Sequence, residues 1–323
     1  MKDLQEKVTI PLVLLVLIGV ATCFLFRDVQ ANSGNRSYSE PDRQFLVAMF
    51  EEKGFDQDLL KSVFYDKRLK KLPIIVSRNV HNKENRRNYE DFHSSYSLKI
   101  AHRFSRKWKS VLTRASQEFD VDEEVLVSIL LVETGLGNIL GRYPVISVFS
   151  SIIVEKEQKH LEAMNKIALS EDDQYVLKRL SRKAEWAEVE LTALLTMVQD
   201  RGMSPFQLKG SFAGAFGIPQ FLPSSYLKWG YDSDQNGSVN LFLFPDAIYS
   251  TANYLKAHGW KKGLYLESNK DVIYKYNNSE IYVETVLNVA KKIKELQSDK
   301  SKEIAKQTRF VQDYKSQQQE DKS

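Results

Sequence analysis

A chain of 323 residues with 42% hydrophobic and 27% charged side chains can bury a sizeable core, enough for one large domain or two modest ones. Its 46 basic and 42 acidic residues leave a net charge of +4, too small and too evenly spread for a nucleic-acid footprint, so no nucleic-acid partner is expected. The five histidines fall in no HExxH or similar spacing, which removes the support for a zinc-hydrolase centre.

In chain order, Met1 to Lys7 is polar and Val8 to Phe26 is almost wholly apolar, the layout of an export signal or a membrane anchor. Residues 1–31 are assigned to that role. The length of the apolar run favours a retained anchor, while the small residues around Val29-Gln30-Ala31 offer a cleavage site as the alternative. Cys23, the only cysteine, lies inside the apolar run, so no disulfide is expected in the exported part, and its neighbours Thr22 and Phe24 do not suit lipid attachment.

Residues 32–40, rich in Ser and Asn, are expected to be a linker to a folded region over residues 41–296. Ser39 as cap, Pro41 in the first turn and Gly54 after the end predict a first helix, and Leu59, Leu60, Val63 and Phe64 continue the helical spacing into a second. Further helices are expected near Leu98 to Glu118, Glu123 to Thr134, Ala184 to Gly202, Asp246 to His258 and Ser279 to Leu296, so the fold class is mainly α. Residues 155–180 are charged and helical in composition and read as an inserted helical arm. Residues 297–323 form a Lys, Gln and Asp-rich tail.

One acid stands out. Val125 to Thr134 is apolar except for Ser128, Glu133 and Thr134, and Gly135 and Gly137 then end the helix. That places the Glu133 carboxyl beside the carbonyl end of a buried helix, where loss of water and the helix dipole both raise its pKa. An acid still protonated near neutrality is what protonation of a leaving sugar oxygen requires. A helix-capping carboxylate or one paired with a cation is the alternative. A second unusual segment, Lys209 to Tyr226, interleaves Gly210, Gly214 and Gly217 with Phe212, Phe216 and Phe221. It lacks the frame of a phosphate-binding loop and reads as a close-packed wall beside a groove.

VETGLG from Val132, GSFAGAFGIPQFLPSSY from Gly210, DAIYSTANYLKAHGW from Asp246 and YNNSEIY from Tyr276 together resemble the membrane-bound lytic murein transglycosylase B family, in order from about Phe45 to about Ile293. The resemblance implies a lysozyme-like α domain with additional helical segments. It also implies cleavage of the bond between N-acetylmuramic acid and N-acetylglucosamine in peptidoglycan, without water, leaving 1,6-anhydromuramoyl ends. By matching positions it gives Glu133 as the acid and base, and Ser211, Gln220, Tyr254, Tyr276, Asn277 and Tyr282 as residues lining the sugar groove. Arg182 and Lys183 match a basic pair facing the substrate's anionic groups, though the arm lengthens the spacing to them. Without the resemblance, the tyrosines read as core residues, Ser211 and Gln220 as turn residues, and the basic pair as a solvated face.

One carboxyl suffices for both proton transfers of such a reaction, and no cofactor is required for the chemistry. Asp232, Asp234, Asn236 and Ser238 occupy positions one, three, five and seven of an EF-hand-like loop with Gly237 at six, and Asp246 closes a longer loop than usual. The loop is a polar turn or a structural Ca²⁺ site, and the resemblance favours calcium. Peptidoglycan glycan strands are the expected partner, the membrane is met through the N-terminal segment, and the expected location is the periplasm. The competing functions are a lysozyme-type hydrolase, a non-catalytic wall-binding protein and, with a single loop, a calcium sensor.

Overall fold

A computed structural model describes residues 36–81, 86–165, 168–263 and 266–298. The export segment at residues 1–31 and the tail beyond residue 298 lie outside them. Among the described residues no helix is long and apolar enough to cross a membrane. The fold is mainly α, as the sequence indicates, and among the described residues its strands are one antiparallel pair of two residues each, β1 (Tyr143–Pro144) and β2 (Lys209–Gly210).

The chain enters through residues expected to be linker, and the structure ties them down. Arg36 bridges to Lys71, and the buried Tyr38 hydroxyl lies 3.0 Å from Ser151 Oγ. Ser39 and Asp42 form a capping box that starts α1 (Glu40–Glu51), each side chain bonding the other's backbone N–H. Phe50 of α1 stacks on Phe64 of α2 (Gln57–Phe64). Helix α3 (Pro73–His81) then packs against the long hairpin described below.

The expected helix near Leu98 to Glu118 is in fact two, α4 (Ser95–Lys107) and α5 (Lys109–Phe119). The break falls at Trp108, whose backbone leaves the helical region (φ −104°, ψ 18°), and its ring packs 5.1 Å from Phe244. Helix α6 (Glu123–Thr134) matches its expected limits, and ten of its 12 residues are buried, as befits a helix apolar on all sides.

The arm is the outer part of a hairpin between α7 (Val145–Met164) and α8 (Glu171–Arg201). The sequence signals only the charged outer part. Val145 to Val154 is buried without interruption, Ser147, Ser150 and Ser151 included, so its polar residues do not mark a solvent face. Buried Asp42 fastens this hairpin to the N-terminal helices, accepting bonds from Gln158 Nε2 at 2.8 Å and Lys71 Nζ at 3.3 Å.

The remaining α-helices among the described residues are α9 (Pro223–Trp229), α10 (Phe244–Ala257), α11 (Lys270–Tyr276) and helical residues 280–298, here α12. Ser128 Oγ of α6 donates to the Val286 carbonyl at 2.7 Å, so α12 is fastened along the buried helix.

Candidate functional site

Glu133 is the penultimate residue of α6. Gly135 ends the helix in the left-handed conformation (φ 58°), and the N–H groups of Gly135 and Leu136 bond back to the carbonyls of Leu131 and Leu130. This stop leaves the Glu133 carboxyl beside the helix's carbonyl end. The residue is half-buried, and its carboxyl is packed closely enough that burial raises its pKa from 4.5 to about 7. The Tyr282 hydroxyl donates to Glu133 Oε1 at 2.6 Å and pulls the other way, towards ionisation. Oε2 carries no hydrogen bond from any described residue, so one oxygen is held and the other is free to exchange a proton.

The glycine-rich segment packs directly against this helix end. Thr134 Oγ1 donates to the Ile218 carbonyl at 2.9 Å and accepts from Gly137 N at 3.0 Å. Gly141 lies so close to the backbone of Gly210 and Ser211 that a Cβ there would collide with it, and Phe149 fills the place of a side chain at Gly214. Residues 217–220 make a tight turn closed by paired bonds between Phe216 and Phe221. Gln220 sits in this turn at φ +51°, a strained backbone conformation for a residue with a side chain, and its Nε2 bonds the Gly217 carbonyl at 2.8 Å.

The tyrosines expected in the groove form a stack leading away from the acid. Tyr282, 1% exposed, lies parallel to Tyr276 with ring centroids 6.4 Å apart, and Tyr276 meets Tyr254 edge-on at 4.9 Å. The Tyr276 hydroxyl donates to the Pro219 carbonyl at 2.6 Å, pinning the same turn that Thr134 pins. Tyr254 is one layer deeper, with its hydroxyl spent on the Lys275 carbonyl at 2.7 Å and its ring against Trp229 and His258. Its place is that of a core support for Tyr276. Half-buried Ser211 and Asn277 keep side-chain groups that bond to no described residue, as a ligand site needs.

Arg182 and Lys183 follow one another on α8 but differ. Arg182 is exposed, whereas Lys183 is half-buried with its Nζ 4.7 Å from the centre of the Trp186 ring. Trp186 packs edge-on against Phe149, the residue that fills the space at Gly214, so Lys183 is joined to the glycine-rich segment through two aromatic rings. Burial, and then the charge of Arg179, lower the Lys183 pKa.

Residues 232–246 bring three carboxylates together. Ligand oxygens of Asp232, Asp234 and Asp246 lie within 4.8 Å of one another, and no ion pair joins them among the described residues. Gly237, sixth in the loop, has φ +88°. Burial opposes the charge on Asp232, but the Gly237 N–H, at 2.7 Å, and further donors outweigh it and hold the pKa below 3.8. Asp246 is buried and accepts from Ser233 N at 3.0 Å and Asn240 N at 2.7 Å. The Asn236 side chain accepts from Ser238 N at 2.9 Å. Hard oxygen donors converging in this way fit a calcium-sized ion.

Sequence reasoning passed over Thr134 and Glu190. Thr134 is visible as a polar residue at the end of an apolar run. Glu190 carries no local signal, since its partner is 34 residues away.

Residues 39–267 match the transglycosylase SLT domain family. Over 160 residues the chain is 35% identical to membrane-bound lytic murein transglycosylase B of Escherichia coli, a match spanning 50% of this chain and 38% of that relative's length. The Escherichia coli lytic transglycosylase Slt35 in complex with bulgecin A superimposes with a TM-score of 0.65 at 23% identity, covering 83% of this chain and 98% of that one. The Slt35 structure in complex with calcium gives a TM-score of 0.62 at 24% identity, with the same coverage of both chains.

Proposed function

The chain belongs to the transglycosylase SLT domain family, and from that premise we propose that it is a lytic murein transglycosylase with Glu133 as the acid and base. The observation that carries the reading is the Glu133 carboxyl itself, half-buried at a helix end with its pKa near 7 and one oxygen free. In the first step the protonated Oε2 gives its proton to the oxygen linking N-acetylmuramic acid to N-acetylglucosamine, and the glycosidic bond breaks. In the second, the same carboxylate takes the proton of the muramic acid 6-hydroxyl as that oxygen bonds to C1, which yields the 1,6-anhydro ring and restores the acid.

Among the described residues, burial raises the Glu133 pKa and Tyr282 lowers it, and no carboxylate shares in setting it. A two-carboxylate hydrolase holds its partner acid across the bond and close by. This favours ring closure over attack by water. Ser211, Gln220, Tyr276 and Asn277 would orient the sugar, Tyr254 and Tyr282 would support them, and Arg182 and Lys183 would supply positive charge for the substrate's anionic groups.

Asp232, Asp234 and Asp246, with the Asn236 side chain and the Ser238 carbonyl, would hold a structural Ca²⁺. The ion would brace the loop leading into α10 and supply no proton chemistry. The export segment and the relative's membrane-bound character support a periplasmic enzyme anchored in the inner membrane by residues 1–31.

Mass spectrometry of sacculi digested with the full chain tests the reading. Muropeptides ending in 1,6-anhydromuramic acid, lighter by one water than the hydrolysis products, are expected. Reducing ends alone would overturn it in favour of a hydrolase.

A further inference from the structure

We propose that Glu190 is a positioning residue for this reaction: from α8 it fixes the exit of the turn that carries Gln220, and thereby favours the sugar's own 6-hydroxyl over water in the second step. The inference rests on the transglycosylase reading above and concerns a carboxylate that the proton chemistry does not use.

Glu190 is 4% exposed, and both its oxygens are committed to one residue. Oε2 accepts from Ser224 N at 2.9 Å and Oε1 accepts from Ser224 Oγ at 2.8 Å. Ser224 is the second residue of α9, where the backbone N–H has no partner within its own helix. A buried carboxylate without bonds is costly, so this fork is held as one arrangement rather than many.

Two residues separate Ser224 from Phe221, whose N–H and carbonyl both pair with Phe216 across the turn. Within that turn Gln220 holds its strained φ of +51°. Strain of this kind persists only where the surroundings over-determine it. Three tethers do so here: Thr134 on the Ile218 carbonyl, Tyr276 on the Pro219 carbonyl, and Glu190 on the exit. The first two come from the acid's own helix and from α11. The third comes from the α7–α8 hairpin, so the hairpin is linked mechanically to the cleft. With the exit loose, the turn relaxes, the sugar is held less closely, and water competes with the 6-hydroxyl for the intermediate.

The test compares wild type, Glu190→Ala and Glu190→Gln as full chains, measuring kcat, KM, melting temperature and the ratio of reducing to anhydro ends. In Glu190→Ala, kcat is expected to fall about tenfold with KM changed less than about threefold, and the fraction of reducing ends to rise several-fold. Glu190→Gln is expected to restore both, because its amide can accept from Ser224 N–H and donate to Ser224 Oγ. A folded Glu190→Ala with wild-type kcat and product ratio would overturn the proposal. So would a Glu190→Gln variant that melts with wild type yet behaves as Glu190→Ala. If Glu190→Ala does not fold, Ser224→Ala removes half of the fork and is expected to shift kcat and the ratio the same way by about threefold; no shift there counts against the proposal. Should wild type itself yield only reducing ends, the transglycosylase reading falls, while the kcat comparison still decides whether Glu190 positions the turn.

Discussion

The cleft and the acidic loop treat the same functional group in opposite ways. At the end of α6 one half-buried carboxyl, bonded among the described residues to a single tyrosine hydroxyl on Oε1, has its pKa pushed up to about 7 by burial. In residues 232–246 three carboxylates crowd together, and backbone N–H groups hold Asp232 below its ordinary value. On the proposed roles, a carboxyl that carries a proton stands apart and loses solvation, whereas carboxylates that meet a cation are gathered, with Asp232 held ionised by backbone donors. The two sites are therefore predicted to differ in what breaks them.

The largest effect is expected in the cleft. Glu133→Gln keeps the shape and can still accept from the Tyr282 hydroxyl, but it removes the group proposed to give and reclaim the proton. Turnover on isolated sacculi should fall by about 10³-fold or more, with the melting profile intact. An unchanged digestion rate would point instead to a wall-binding protein. The loop should show the reverse pattern. Saturating calcium is expected to raise the melting temperature by roughly 5 °C, chelator to reverse it, and Asp234→Asn to abolish the response with kcat altered little. A melting temperature indifferent to calcium would remove the metal from the picture.

A smaller effect sharpens the contrast through pH. Folded Glu133 binds its proton more tightly than the unfolded chain does, so its contribution to stability is complete below about 4.5 and is lost as pH rises through about 7. Glu133→Gln stays neutral throughout. It should match wild type at pH 4 and exceed it at pH 8 by about 2 kcal/mol, less than the full shift implies because the residue is partly exposed. Denaturant melts at the two pH values measure this. A variant less stable than wild type at pH 8 would mean that the carboxyl is not desolvated. Asp232, with its pKa lowered, contributes in the opposite sense, its stabilisation present above about 3.8 and lost on acidification.

What the sequence disclosed follows the range of the interactions. Helix α6, its glycine stop and the carboxyl beside it are local features, and they were legible from Val125 to Gly137. The metal-loop spacing was legible for the same reason. The break at Trp108 was not, since the ring there packs on Phe244 far along the chain, and the start of α7 was hidden because even its serines are buried. The expected groove residues came from resemblance, and geometry separates them further: Ser211 and Asn277 keep side-chain groups that bond to no described residue, whereas Tyr254 is spent inside the core. Glu190 and Thr134 act across tens of residues on carbonyls and N–H groups, which no side-chain pattern encodes.

The smallest predicted effect concerns the one hydroxyl that touches the acid. Tyr282→Phe keeps the ring, and with it the parallel packing on Tyr276, but removes the donor to Glu133 Oε1. That bond favours the charged form, so without it the Glu133 pKa should rise above its present value of about 7. On the proposed mechanism the proton is on the carboxyl when the glycosidic bond breaks, so activity should be lost on the alkaline side as Glu133 ionises. The alkaline limb of the kcat/KM profile should then move upward, by roughly half to one pH unit, while the loop's calcium response is untouched. A limb that moved downward would mean that Tyr282 donates to the neutral acid more strongly than to the carboxylate, and that burial alone does not set the proton's hold on Glu133.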